Sequence, residues 1–190
     1  EMEAEKITRL ATAEAEKIRQ INEAVADSPA YIRLRALEAL GSSSHERVPT
    51  LIEAAYRSGE PAMQKSAIFA MGSSADRRWT RQILYEMDSP DAAMRVEAAR
   101  AAGAIGTSDA LRPLEKLSRD EDLEVAATAV NALGQIGGEL ATEILDNIAN
   151  DPNLADLHEL IPEILEEMSW YSGDFDMDLF DFEEDDEFVD

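Results

Sequence analysis

The chain contains no cysteine, and this absence excludes disulfide bridges, thiolate metal sites and cysteine nucleophiles. It also lacks any apolar run near the roughly 20 residues that a membrane-spanning helix needs, and it shows no signal-peptide pattern. We therefore expect a cytoplasmic protein that does not bind a membrane. Because the first residue is Glu1 and not Met, we also expect an excised or processed chain.

Basic residues are missing from the second part of the chain. Residues 1–119 hold all 17 Lys and Arg together with 18 Asp and Glu, whereas residues 120–190 hold 23 Asp and Glu and no base. The net charge of −24 therefore falls almost entirely on one part. Since phosphate binding requires a surplus of cations, this balance argues against direct nucleic-acid binding. It favours recognition of a basic partner.

Motifs of common catalytic sites are also missing. The sequence has no glycine-rich phosphate loop, no Gly-x-Ser-x-Gly and no His-Glu-x-x-His. The acidic residues of the C-terminal segment lack the spaced glycine and oxygen ligands of an EF-hand loop. We therefore expect a protein without enzymatic activity, cofactor or metal.

What the sequence does contain is a short phrase that occurs four times and ends each time in glycine. The closing residues, each 31 positions after the previous one, are Gly41, Gly72, Gly103 and Gly134. A constant period of this size indicates a stacked repeat protein. We expect each glycine to end a helix in the left-handed C-cap conformation, which glycine adopts without steric cost.

Each repeat is predicted to hold two helices. A polar turn rich in Asp, Ser and Pro precedes the first helix, as helix starts require. Two 31-spaced columns mark the first helices as packed: Ile32, Met63, Met94 and Val125, and Ala36, Ala67, Ala98 and Ala129. The alanine column predicts close approach of neighbouring helices. The second helices are predicted near residues 46–57, 77–87, 108–118 and 139–150, with a core column of Ile52, Ile83, Leu114 and Leu145.

These patterns predict an all-α protein, a right-handed α-solenoid of antiparallel helix pairs with a 31-residue repeat. Four repeats occupy residues 27–150, and residues 1–26 are predicted to form an N-terminal capping helix. Residues 151–171 are expected to be a degenerate C-terminal capping repeat, because Leu165 replaces the glycine and Pro162 should kink or split the helix. Residues 172–190 form an acidic aromatic tail.

The repeat resembles the HEAT family, and in particular the short HEAT-like repeats of bilin lyases and many bacterial proteins. The resemblance is carried by Asp or Ser, then Ile, Met or Val five residues later, then Ala, then Leu, Met or Ala before Gly, over residues 27–150. It implies an α-solenoid that is used mainly for protein binding. It also implies that the second helices line the concave face, where partners bind.

Two His-Glu dipeptides, at His45 and His158, resemble the iron-binding pairs of deoxyhypusine hydroxylase, a HEAT-like enzyme. The two histidines are 113 residues apart, which is not a multiple of the repeat. The positions that share the column of His158 hold Leu34, Lys65, Val96 and Ala127. Because the other ligand pairs are missing, we expect no di-iron site.

Basic residues on the second helices form the first candidate binding site, which we call the basic strip. It comprises Arg77, Arg78, Arg81, Arg112 and Lys116. Arg81 and Arg112 are 31 apart, so stacking should place them side by side. Tyr85 would add an aromatic anchor, whereas Trp79 shares a column with small apolar residues and should be packed. The alternative interpretation is a solvated face with weak ion pairs.

The tail is the second candidate. Ten of the 17 residues from 174 to 190 are acidic and none is basic, so we expect disorder in isolation. Apolar residues alternate with the acids, chiefly Phe175, Leu179, Phe180, Phe182 and Phe188. This alternation favours binding through hydrophobic anchors over a purely solubilising role. Self-binding of the tail to the basic strip stays open beside an external basic partner.

The function that we expect is a non-enzymatic scaffold or adaptor whose tail engages a basic protein surface, with the concave helix face as a second contact. One alternative is a bilin-lyase-like subunit that handles a linear tetrapyrrole, whose propionates would suit Arg77, Arg81 and Arg112. Another alternative is an acidic inhibitor that mimics nucleic acid.

Overall fold

The computed structural model describes residues 29–172, and this range contains α-helices and short 3-10 helices with no strand. The α-helices are α1 (Pro29–Leu40), α2 (Val48–Tyr56), α3 (Pro61–Ser73), α4 (Thr80–Glu86), α5 (Ala92–Ile105), α6 (Leu111–Leu117), α7 (Leu123–Ile136), α8 (Glu139–Ala149) and α9 (Ile161–Ser172). The 3-10 helices are Arg77–Trp79, Ser108–Ala110 and Pro152–Leu157. The predicted capping helix at residues 1–26 and the tail beyond residue 172 lie outside the described residues.

The helices pack in pairs that stack along the chain, which confirms the predicted all-α solenoid. Helices α1, α3, α5 and α7 contact one another in chain order, and α9 packs on α7 at the end of this first row. Each of α2, α4 and α6 packs against the first helix that follows it. The right-handed sense and the 31-residue length of the structural repeat stay predictions.

Short acidic side chains begin several of these helices. Asp91 accepts a hydrogen bond from the amide of Ala93 at 3.0 Å, and Asp122 accepts one from the amide of Glu124 at 2.9 Å. These bonds satisfy amides in the first helical turn that have no partner within the helix. The polar turns that the sequence places before the first helices therefore serve as N-caps for α5 and α7.

The predicted core columns are buried, except at one end. In the second helices Ile52, Ile83, Leu114 and Leu145 are at most 1% exposed, and in the first helices Ala67, Ala98 and Ala129 are fully buried. Two residues of α1 depart from the prediction, because Ile32 is 54% exposed and Ala36 is also exposed, and Met63 of α3 is only partly buried. Helix α1 is the first described helix of its row, so no described helix covers that side.

The repeated glycines pack between helices and none of them adopts the left-handed conformation, so the left-handed C-cap prediction was wrong. Gly72, Gly103 and Gly134 lie inside α3, α5 and α7, and none of them has a positive φ. A Cβ on Gly72 would lie 2.8 Å from the Cα of Ala101 in the next first helix. Real Cβ atoms do not come this close to a backbone atom. Glycine therefore lets the first helices approach.

The fifth unit has no regular first helix at its start, and Pro162 lies at the beginning of a helix, so the expected kink or split at Pro162 does not occur. A 3-10 helix, Pro152–Leu157, replaces the start of a regular first helix, and α9 begins only at Ile161 with Pro162 in its first turn. Proline is tolerated there because the amide that it lacks would have no helical partner. Ile164 of α9 contacts Gly134 and closes the end of the first row.

One ion pair fixes the turn between the third and fourth repeats. The guanidinium of Arg95 donates to both carboxylate oxygens of Asp120 at 2.8 Å, and it donates a third bond to the carbonyl of Ser89 at 2.9 Å. The two side chains are only 12% and 11% exposed. The hydrogen bond from Arg95 lowers the pKa of Asp120 below the ordinary Asp range.

We expect Gly72→Ala to destabilise the protein. Inside a helix, alanine is more stabilising than glycine by about 1 kcal/mol. The added Cβ would nevertheless clash with the backbone of Ala101, which cannot shift as a flexible side chain can. We expect a net loss of about 1–3 kcal/mol in the free energy of unfolding, measured by urea denaturation. Ser73→Ala, at the exposed neighbouring position, should stay within about 0.5 kcal/mol of the wild type. A stabilised Gly72→Ala variant would contradict the close-contact role of the glycines.

We expect Asp120→Asn to cost about 3 kcal/mol of stability, because it leaves the nearly buried guanidinium of Arg95 without its counter-charge. Since the pKa of Asp120 is lowered in the folded state, its contribution is present above the unfolded pKa and is lost as pH falls through the folded pKa. The Asp120→Asn variant should therefore not show this loss of stability at acid pH when its free energy of unfolding is measured against pH.

The matched control for this prediction is Asp88→Asn. Asp88 accepts from Lys116 at 2.6 Å, but the two side chains are 72% and 75% exposed. Breaking an exposed pair of this kind should cost less than about 1 kcal/mol. Equal losses in the two variants would show that burial does not set the strength of the Arg95–Asp120 pair.

Candidate functional site

The basic strip lies on the second helices and is exposed throughout. Arg77 and Arg78 belong to the 3-10 helix before α4, Arg81 is the second residue of α4, and Arg112 is the second residue of α6. Lys116 is the next-to-last residue of α6. Arg81 and Arg112 thus hold equivalent positions in successive second helices. Their side-by-side placement stays a prediction.

Three members of the strip already have acidic partners. Arg78 pairs with Asp76 at 2.6 Å, Arg112 with Glu115 at 2.7 Å, and Lys116 with Asp88 in the preceding turn. The hydrogen bond that Arg112 donates to Glu115 raises the pKa of the Arg112 guanidinium. These pairs agree with the alternative interpretation of the strip as a solvated helix face with ion pairs. They leave less free positive charge on the strip than the sequence indicated.

Arg77 and Arg81 make no ion pair with another described residue. Arg81 and Tyr85 are four residues apart on α4, so their side chains project from the same face of the helix. Tyr85 is 74% exposed, whereas Trp79 is only 4% exposed and belongs to the core, as predicted. The members of the strip without an ion pair to a described residue are therefore Arg77 and Arg81, and the exposed Tyr85 lies beside them on α4.

The two histidines are engaged in local turns. His45 Nδ1 accepts from the amide of Arg47 at 3.2 Å, before α2. The Nε2 of His158 is 3.0 Å from the carbonyl oxygen of Asp151, so this ring ties the 3-10 helix to the turn before α9. Among residues 29–172 there is no group of three or more His, Asp and Glu side chains that could hold a metal ion.

A mixed-charge depression of about 450 Å³ lies on the first row. Glu97, only 8% exposed, accepts a hydrogen bond from Arg100 at 2.8 Å. Burial raises the pKa of Glu97, and the nearby guanidinium of Arg100 opposes that rise. Lys65, Asp122 and Glu124 also line the depression. Because charges of both signs line it and largely cancel, it does not select a ligand by charge.

A larger groove lies where the repeat pattern ends, and the sequence patterns did not identify it. It has a volume of about 1340 Å³ and lies between the end of α7, one face of α8 and one face of α9. Its charged lining residues are all acidic: Glu139, Glu143, Asp146 and Glu167. Two sequence signals mark it, namely the Gly137–Gly138 pair and the acids at helical spacing that follow. We call it the C-terminal groove.

The tail residues that the sequence puts forward, which are Phe175, Leu179, Phe180, Phe182 and Phe188, lie outside the described residues. None of the helices described between residues 29 and 172 is long and apolar enough to cross a membrane.

The later helix pairs of the chain match a known family. Residues 80–161 match the family model described as HEAT repeats. No curated protein matches the chain. The matched segment begins with α4 and ends with the first residue of α9, and it contains the contact between α5 and α7 in the first row. HEAT repeats generally serve as scaffolds for protein–protein interaction and typically are not enzymes. Residues 80–161 are therefore similar to HEAT repeats.

Proposed function

We propose that the protein is a non-enzymatic adaptor that binds a protein with a basic surface through its acidic tail. The observation that carries this proposal is the separation of charge on a HEAT scaffold, since residues 120–190 hold 23 acids and no base. A field of one sign steers an oppositely charged partner and raises the rate of encounter. The stacked helices supply a rigid support for this acidic region.

The tail supplies both charge and anchors. Its ten acids draw a basic surface close, and its five apolar anchors then displace water from pockets on the partner. A tail that only increased solubility would not require large aromatic side chains. The anchors are Phe175, Leu179, Phe180, Phe182 and Phe188.

The second contact is formed by Arg77 of the 3-10 helix before α4 and by Arg81 and Tyr85 of α4. Two arginines without an ion pair among the described residues are available for carboxylates of the partner, which a guanidinium binds with paired hydrogen bonds. Tyr85 adds a large aromatic surface that is 74% exposed. Arg112, which the tetrapyrrole alternative also requires, is already paired with Glu115.

Removal of residues 174–190 should abolish capture of basic partners in a quantitative pull-down with the full chain as reference. A second variant replaces the five anchors by serine and keeps all ten acids. We expect it to lose most of the bound partner, because charge alone gives steering and little residence time. If the deletion leaves every partner bound as well as before, the tail is not the binding element.

The Arg77→Ala/Arg81→Ala variant should weaken binding of the partner that co-purifies with the full chain. Interface hot spots cost about 2 kcal/mol or more when truncated, so we expect at least a tenfold rise in Kd, measured by calorimetry. The matched control is Arg35→Ala/Arg57→Ala, which removes two exposed arginines that already pair with Glu38 and Glu53. Equal affinity in the two double variants would remove the second contact from the proposal and leave the tail.

A further inference from the structure

The C-terminal groove has the size of a macromolecular contact. Its volume of about 1340 Å³ exceeds the roughly 300–1,000 Å³ typical of small-molecule sites. It is not an enclosed cavity, and it lies between α9 and the last regular helix pair, α7 and α8. Its shape therefore suits a segment of another protein more than an enclosed ligand.

One wall of the groove is an acidic face of α8. Glu139, Glu143 and Asp146 follow one another at four- and three-residue spacing, so they lie on one side of the helix, and all three are exposed. None of them forms an ion pair with a described cation. Arg112 is near enough to interact electrostatically with Glu143, but its ion pair is with Glu115. Like charges at this spacing destabilise a helix until cations neutralise them.

The other wall is an apolar face of α9. Ile164, Leu165 and Met168 line it together with Glu167 and Ser169, and the side chains of Leu165 and Met168 are only partly buried against the core. Between the walls the chain carries glycine at Gly137 and Gly138, with φ values of +69° and +87°. Residues with a Cβ rarely adopt such values, so this part of the groove is lined by bare backbone.

From these walls we infer that the C-terminal groove binds an amphipathic basic segment of a partner protein. Lysines or arginines on one side of the segment would face α8, and apolar residues on the other side would face α9. Glu139 and Asp146 are seven residues apart, about 10 Å along the helix, which matches roughly two helical turns of a ligand. A helix laid in a groove of this kind is a common form of peptide recognition.

Charge argues against two occupants that the protein itself offers. The tail carries ten acids and no base between residues 174 and 190, so the acidic wall repels it. A second copy carries the same net charge of −24. The inference rests on the proposed function in one respect, which is that the partner is basic. It is otherwise separate, because it places the contact on the folded helices and not on the tail.

The test uses the full chain and a synthetic probe. The probe is a fluorescein-labelled helical peptide of about 14 residues, with leucines along one face and lysines along the other, and its binding is followed by anisotropy. The groove variant is Glu139→Gln/Glu143→Gln/Asp146→Asn. We expect it to bind about tenfold more weakly, since three exposed charge pairs are lost.

The matched control removes the same charge elsewhere, through Glu60→Gln/Asp109→Asn/Glu121→Gln. These three acids are exposed and form no ion pair with another described residue. The control should bind the peptide within about twofold of the wild type, since distant exposed charges are screened by salt. Equal weakening in the two triple variants would show attraction by net charge alone, and that result would overturn the inference.

A second pair of variants tests the apolar wall. Met168→Gln should weaken peptide binding severalfold, whereas Leu123→Gln, at a 55% exposed position outside the groove, should leave it unchanged. Helical circular dichroism and the melting temperature verify that each variant folds. A folded Met168→Gln variant with unchanged affinity would exclude the apolar wall from the contact and overturn the inference.

Deletion of residues 174–190 separates the groove from the tail. If the truncated chain still binds the peptide, and the groove triple variant weakens that binding, the groove stands whether or not the tail captures partners. If the deletion abolishes peptide binding and the groove triple variant does not change it in the full chain, the inference fails and the tail proposal stands.

Discussion

The close approach of the first helices is the constraint on which the rest of the structure depends. Gly41 and Gly72 each face the backbone of an alanine in the next first helix, where a Cβ would lie 2.7–2.8 Å from backbone atoms. Small residues on both sides bring the helices together and bury Ala67, Ala98 and Ala129 completely. The dispersion attraction between atoms packed this closely is weak for each pair and large in total. The first row therefore acts as the spine of the scaffold.

Because the first row holds the repeats together, the second helices do not need to pack closely on their outer faces. Helices α2, α4 and α6 each pack inward through one apolar column, and they lie mainly against the neighbouring first helices. Their outer faces need no close packing, so they tolerate charged side chains and an exposed tyrosine. The turns between repeats are stabilised by other interactions, such as the nearly buried ion pair of Arg95 and Asp120.

The proposed contacts with a partner lie where this regularity ends or is not needed. The C-terminal groove forms because the fifth unit does not repeat the fourth, and a 3-10 helix displaces the start of α9 to Ile161. The acidic tail follows α9 directly in sequence, so the proposed groove contact and the proposed tail contact would be neighbours along the chain.

The sequence by itself determined the helix pairs, the buried columns and the packed state of Trp79, because these follow from local periodicity and from side-chain chemistry. Tertiary structure decided what the glycines do, since Gly72 looks the same in sequence whether it caps a helix or contacts one. It also decided which arginines and lysines have partners. Lys116 meets Asp88, 28 residues away, and no local pattern encodes that pairing. The groove depends on how α9 lies against α7 and α8, and such placement arises only when distant segments pack together.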